Sequence, residues 1–357
     1  MSETDDPRGG GEPALVLPAS TVPDPSTAPG LRWGVISPGH IADQFTATAH
    51  RATASRVVSV ASRSAQRAAE FAAKHGIEHA GDSVEAMLER GGLDAVYIAS
   101  PHAQHHALAR SVLEAGIPVL VEKAFTLNTA QARDLLDLAR ERDVFAMEAM
   151  WARFLPRYDV LRQVLAEGLL GEIVEVAADH GQSFPVDPSH RMYAPELGGG
   201  ALLDLGVYPV SFAQMVLGSL GELTVRGDLT ETGVDAYMGL LARGKQGGRA
   251  RLSTTLRTRT PTEAVVSGTL GSARLSAPFF APGTLTVSLH DGRSASVDHP
   301  GAPGDGMAYE VAEAARRITA GELESPLMSW KDTLDVMSTM DAMRAEIGVV
   351  YPGEEPA

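Results

Sequence analysis

The stretch Leu31-Arg-Trp-Gly34-Val-Ile36-Ser37-Pro38-Gly39-His40-Ile41-Ala42 decides the fold. An apolar, β-branched run ends in a Pro-Gly turn, and an Ala-rich amphipathic segment starts directly behind it. A strand turning tightly into a helix leaves the first N–H groups of that helix free to bind an anion, and this is the opening unit of many α/β folds. Against the dinucleotide fingerprint G-x-G-x-x-G/A, Gly39 stands where the backbone approaches a pyrophosphate and Ala42 where helix and strand pack closely. Ser37 occupies the place of the first glycine. Ser37, Gly39, His40 and Ile41 are therefore expected to meet a dinucleotide.

Outward from this turn the chain alternates short strands with Ala-rich helices. Residues 57–61, 95–99 and 119–121 read as further strands, and residues 41–50, 65–75, 83–90, 102–115 and 128–140 as helices, several closed by glycine. Such alternation predicts βαβ units and a parallel sheet. Beyond Phe145 longer alternating segments take over, at residues 173–178, 236–241, 249–256, 263–266 and 285–289. They predict a largely antiparallel sheet, with helices at 201–217, 308–319 and 331–347. Three parts are expected: a disordered leader at 1–30, rich in Pro, Gly, Ser, Thr and acid; a dinucleotide-binding domain at 31–150; and an α+β domain at 151–351.

Composition excludes several classes. With 357 residues, 44% apolar and 21% charged, the chain can bury a sizeable core. Zero cysteines excludes thiolate catalysis, zinc–thiolate and iron–sulfur sites, and disulfides. Thirty basic against 45 acidic residues give a net charge of −15, which opposes nucleic acid and anionic membranes as partners. The N-terminus is acidic where a secretory signal is basic, and no run approaches the ~18 uncharged apolar residues that span a bilayer. A cytoplasmic protein is expected.

At the end of the second strand stand Ser62, Arg63 and Ser64, with Arg67 one turn on and no carboxylate before Glu70. An acidic residue here would bind the 2′-hydroxyl of NAD, whereas Arg63 and its neighbours suit a 2′-phosphate. NADP is favoured, with NAD possible. Ser100-Pro101-His102-Ala-Gln-His105-His106 follows the third predicted strand, at the sheet edge where ligands bind. His102 and His106 share a helix face, but with no acid nearby polar contacts to a cofactor explain the histidines better than a metal does, and none is assigned. Glu122-Lys123 ends the next strand, where partial desolvation tunes a lysine for acid–base work. In Gly198-Gly-Gly-Ala-Leu-Leu-Asp204-Leu-Gly-Val-Tyr208-Pro209, a helix would set Asp204 and Tyr208 one turn apart behind a glycine entry that lets backbone approach a ligand, and Pro209 would break the bond to Leu205. A carboxylate, a phenol and a lysine in one cleft make a proton relay.

Together these motifs resemble the Gfo/Idh/MocA oxidoreductases. Arg32-Trp-Gly34, Gly39-His-Ile-Ala42, Glu122-Lys123, Met147-Glu148-Ala-Met-Trp151-Ala-Arg153-Phe154, Gly199 to Tyr208, Gly233-Val-Asp235 and Ser267 to Gly271 carry the resemblance, which runs from about Leu31 to Tyr351. It implies a Rossmann doubly wound sheet followed by an α+β domain whose open sheet joins subunits in a homodimer or higher homo-oligomer. It also implies hydride transfer between a nicotinamide and a sugar or cyclic trans-diol as small-molecule substrate. By the same resemblance Lys123 and Tyr208 are the acid–base pair, with Lys123 lowering the phenol's pKa; Asp204 orients substrate; Trp151, Arg153 and Phe154 line its site; and Ser100, Pro101, His105 and Glu122 join the cofactor contacts. Ser37 replaces a glycine of the family pattern, and Ala124 replaces the proline whose ring would fix the backbone after Lys123. Two other readings of the same fold are a silent nucleotide or sugar sensor and a nicotinamide-dependent glycosidase.

Overall fold

A computed structural model describes residues 14–354. Two sheets organise it. The first is six-stranded and parallel, in the order β3-β2-β1-β4-β5-β6, built from β1 (Arg32–Ile36), β2 (Arg56–Ala61), β3 (His79–Gly81), β4 (Ala95–Ile98), β5 (Val119–Glu122) and β6 (Ala146–Ala149). Both faces are covered by helices, so β4, β5 and β6 are buried at every position; β4 is apolar throughout, while β5 ends in Glu122 and β6 buries Glu148. Helices α1 (His40–Ala52), α2 (Ala65–His75), α3 (Val84–Arg90), α4 (His102–Glu114) and α5 (Thr129–Arg142) alternate with them. Strand order reverses between β1 and β4, and a crevice opens there at the carboxyl ends of the strands.

Helix α6 (Pro156–Ala166) leads into an eight-stranded, mostly antiparallel sheet in the order β14-β13-β12-β11-β7-β10-β9-β8. Its strands are β7 (Ile173–Gly181), β8 (Leu220–Leu229), β9 (Asp235–Gly244), β10 (Arg249–Thr255), β11 (Ala264–Gly268), β12 (Gly271–Leu275), β13 (Gly283–Leu289) and β14 (Ser294–His299). Only β7 and β10 pair in parallel. Along β9 burial alternates: Met238, Leu240 and Ala242 face the core, while Tyr237 and Leu241 face outward. Helix α7 (Val207–Leu217) covers the inner face over β7 and β10, and α9 (Trp330–Ile347) covers β8. Helix α8 (Met307–Thr319) returns to pack on α1 of the first unit.

Three sequence expectations need correction. Residues 1–13 of the expected disordered leader lie outside the described residues, but residues 14–30 are ordered against the body. Thr21 N donates to Asp159 at 2.6 Å, Arg316 donates to Asp24 O at 2.9 Å, and Ala28 is buried. The polar groups of this proline-rich stretch find partners on α6 and α8, which composition alone does not reveal. Second, β3, β6, β8, β12 and β14 are not foreseen, being short, edge-placed or glycine-rich, and neither is α6. Third, one helical segment, Pro195–Leu217, has the length and hydropathy of a membrane span although it carries Glu196 and Asp204, and 94% of its apolar 18-residue window is buried within the fold. It is apolar because both domains surround it.

Candidate active site

A cavity of about 670 Å³ runs along the carboxyl edge of the parallel sheet and under the second sheet. Its floor is the turn after β1. Ser37 has φ +69°, the left-handed conformation that the fingerprint's first glycine takes without cost, so serine adopts the geometry it replaces. A Cβ built on Gly39 meets nothing within 4 Å: the turn faces open space, where a pyrophosphate would lie against the start of α1. Further along, Ser100 is buried and its Oγ has no partner among the described residues. Open backbone at a helix start and an unspent hydroxyl at the next strand end fit a dinucleotide. His40, Ile41, Ser62, Arg63, Arg67 and Pro101 line the same cavity.

The chemistry sits at the far end. Lys123 Nζ donates to Asp204 Oδ1 at 3.0 Å and to Asp204 O at 2.7 Å. The other carboxylate oxygen of Asp204 accepts from Arg191 at 3.0 Å. Burial alone would raise the Asp204 pKa, but Lys123 and Arg191 override it and hold the carboxyl far below the usual range. Tyr208 accepts from Trp151 Nε1 at 2.7 Å and stacks on Phe280 with ring centroids 4.3 Å apart. Its own proton has no acceptor among the described residues.

The backbone explains why these groups converge. Leu202–Gly206 is one π-helical turn leading into α7, and Pro209 has no N–H to close the ladder onto Leu205. The freed carbonyls are used: Asp204 O by Lys123, and Leu205 O by His180 Nδ1 at 3.2 Å. The expected kink is thus a wide turn that presents acceptors to the cleft. The Gly198–Gly200 entry does not admit a ligand as expected. A Cβ on Gly200 (φ +112°) would meet Asp235 Oδ1 at 2.1 Å, so the glycine makes room for the carboxylate that caps Leu202 N at 2.7 Å.

Lys123 is held from behind. The Lys123–Ala124 peptide is cis. His102 sits between Gly198 O, 2.9 Å from Nδ1, and Lys123 O, 3.2 Å from Nε2, its neutral ring donating to one of them, and Phe125 N donates to Glu148 at 3.1 Å. The fixed backbone once expected from proline comes here from side chains. Glu122, on the cleft wall, accepts from the Tyr97 hydroxyl.

Other expected roles do not survive. The phenol is not brought near neutrality: burial together with Glu122 pushes Tyr208 well above its ordinary value, with the Lys123 ammonium 5.0 Å from the ring centroid and paired with Asp204. Arg153 is buried and donates to Ser211 Oγ at 3.0 Å and Ser211 O at 2.9 Å, so it braces α7 and does not line the cleft; Phe154 is likewise in the core. His105 is buried between Ser100 O, at 2.8 Å, and Ala124 O, at 2.9 Å. Burial lowers its pKa to about 3. His106, on the outer face of α4, bonds Asp134 at 2.7 Å. Trp151 does reach the cavity, as do Gln44, Gln104, His180, Gln182, Phe184, Arg191, Phe280 and Met307, which the sequence did not single out. They come from distant segments with no local signature.

Two family models match the chain: the oxidoreductase family with an NAD-binding Rossmann fold over residues 31–150, and the GFO/IDH/MocA C-terminal domain over residues 158–274. Trans-1,2-dihydrobenzene-1,2-diol dehydrogenases are 34% identical, over 90% of this chain and 99% of the Xenopus tropicalis protein, and over 91% and 99% for the Homo sapiens protein. The chain belongs to the Gfo/Idh/MocA oxidoreductase family. Among solved structures, a 3-ketoreductase from Actinomadura kijaniata, in complex with NADP and TDP-benzene, is 28% identical with a TM-score of 0.78, covering 88% of this chain and 97% of that one. An aldose-aldose oxidoreductase from Caulobacter crescentus, 18% identical with a TM-score of 0.80 over 88% and 96%, shares the fold. This member of the family is accordingly a nicotinamide-dependent oxidoreductase.

Proposed function

We propose that the enzyme transfers hydride between NADP, with NAD as a weaker alternative, and the CH–OH carbon of a sugar or cyclic trans-diol. The observation that carries this reading is one cavity joining the Ser37–Gly39 turn to Lys123, Asp204 and Tyr208. A bound nicotinamide supplies or accepts the hydride at its C4. The Gly39 turn and the N–H groups at the start of α1 would hold the pyrophosphate, Ser100 Oγ a nearby polar atom of the cofactor, and Arg63 with Arg67 the 2′-phosphate.

Tyr208 gives or takes the proton at the substrate oxygen. Its phenol is neutral and has a free proton, which suits donation to a carbonyl; taking a proton from an alcohol requires the anion, which burial disfavours. Lys123 has three N–H donors and spends two on Asp204, leaving the third for the substrate oxygen. Asp204 orients that lysine and balances its charge. Phe280, His180 and Trp151 form aromatic walls against which the apolar face of a cyclic substrate rests. Two copies join through the outer face of the second sheet, where Tyr237 and Leu241 are 39% and 55% exposed.

The test is direct. Purified enzyme with NADP and a panel of aldoses and cyclic trans-diols, followed at the absorbance of the reduced cofactor, gives turnover with at least one member; silence across the panel in both directions removes the reading.

A further inference from the structure

Behind the active-site cleft lies a second cavity, of about 400 Å³, within the size range of small-molecule sites. The ordered leader at Asp24 to Ser26, the end of α1 at Ala52, the start of α6 and the ends of β13 and β14 enclose it. Leu155, Pro156, Pro282, Pro300 and Ala308 give it apolar walls. The Pro303–Gly306 turn belongs to both cavities, with Gly304 lining the cleft and Asp305 the second space.

Three of the four charged groups around it are already partnered. Arg51 pairs with Asp305. Asp24 accepts from Ser26 N and Oγ at 2.8 and 2.7 Å, in its own turn, with Arg316 beside it. Arg157 remains. It is completely buried, its guanidinium bonds only neutral groups, including Pro278 O at 2.7 Å and Ser276 O at 3.2 Å, and its Nε has no partner. Among the described residues no carboxylate pairs with it. His299, also on the wall, has a buried Nδ1 without a partner, and burial with the nearby Arg157 charge lowers its pKa, so its ring is neutral. A buried cation without a counter-ion is costly, and its field crosses a low-dielectric wall with little screening.

We propose that this cavity is a second ligand site, taking a compact organic monoanion whose carboxylate faces Arg157 and His299 and whose apolar body rests on the proline and alanine walls. The site is independent of the substrate reading above. Its test is calorimetric titration of the full-length protein, saturated with NADP, with benzoate and with uncharged benzamide. Benzoate should bind one per chain with millimolar or tighter affinity, and benzamide at least about tenfold more weakly. Ala52→Phe, which fills the cavity, and Arg157→Met, which removes the charge, should each weaken benzoate by about tenfold or more while NADP affinity is kept. If Arg157→Met does not fold, Ala52→Phe decides. The proposal is overturned by no benzoate binding up to about 10 mM, by equal binding of benzamide, or by unchanged binding in Ala52→Phe, which would place the anion in the main cleft.

Discussion

Replacing Tyr208 by Phe removes one oxygen and has two separable consequences. The first is chemical. If the phenol carries the proton at the substrate oxygen, turnover should fall by roughly 10²–10⁴-fold, the usual contribution of a positioned acid or base. NADP affinity should stay, since no cofactor contact is assigned to Tyr208. The second is structural. Trp151 Nε1, 2.7 Å from the phenol oxygen, loses its acceptor in a buried site, which costs about 1–3 kcal/mol. For a chain of this size that is a fall in Tm of several degrees. Steady-state kinetics in both directions, NADP titration and calorimetric melting read the two effects apart. Lys123→Met should remove most activity as well, and the double variant should be little worse than either single one, because groups acting on one oxygen lose their function together. Direction also matters: with the phenol pushed up by burial, alcohol oxidation should rise steadily with pH through the neutral and mildly alkaline range, while carbonyl reduction stays flat there. Near wild-type turnover in Tyr208→Phe would refute the assignment and send the proton through another group of the cleft.

Other expectations follow from the same geometry. Arg63→Ala should weaken NADP far more than NAD, by roughly the 1.5–3 kcal/mol of a charge-assisted phosphate contact, and equal weakening of both in fluorescence titrations would dismiss Arg63 as the discriminator. Deleting residues 1–29 should lower Tm by several degrees without abolishing NADP binding, because the hydrogen bonds to Asp159 and Arg316 and the buried Ala28 go with it; an unchanged melt would show that this packing contributes nothing. Asp204→Asn should destabilise the fold at pH 7 by about 3 kcal/mol, as breaking a buried ion pair does. Its folded pKa is depressed, so the wild-type advantage is fully present above the unfolded value near ~3.9 and fades as pH falls below it; urea melts showing a gap that widens in acid would contradict this sign. His180 has the opposite arithmetic of charge: buried neutral with its pKa lowered to about 4, it makes the wild type lose stability between about pH 6.5 and 4, and His180→Gln should flatten that slope.

What the sequence alone determined is local or periodic. The β1 turn, the helix starting at Ala65 and closed by Gly76 in the left-handed conformation, and the β-branched runs of β4 and β5 each follow from residues within a few positions of one another. The positions of Lys123 and Asp204 in the cleft were legible too, since strand ends and a glycine-flanked helix mark themselves. The tertiary structure decided everything that depends on which atom a side chain finally meets. Arg153 has the same local signature whether it reaches a substrate or Ser211, and packing chose Ser211. The phenol of Tyr208 stands beside a lysine in either case, yet its charge state turns on burial and on Glu122, which arrives from β5 in the other domain. Pro209 announced a break in the helix, but only the position of His180 and Lys123 showed that the freed carbonyls are where the site is held together. The leader reads as disorder by composition because hydrogen bonds to residues more than 130 positions away are invisible to any window of sequence. Short-range sterics and hydrophobic periodicity are written in neighbouring residues; desolvation and partner choice belong to the assembled molecule.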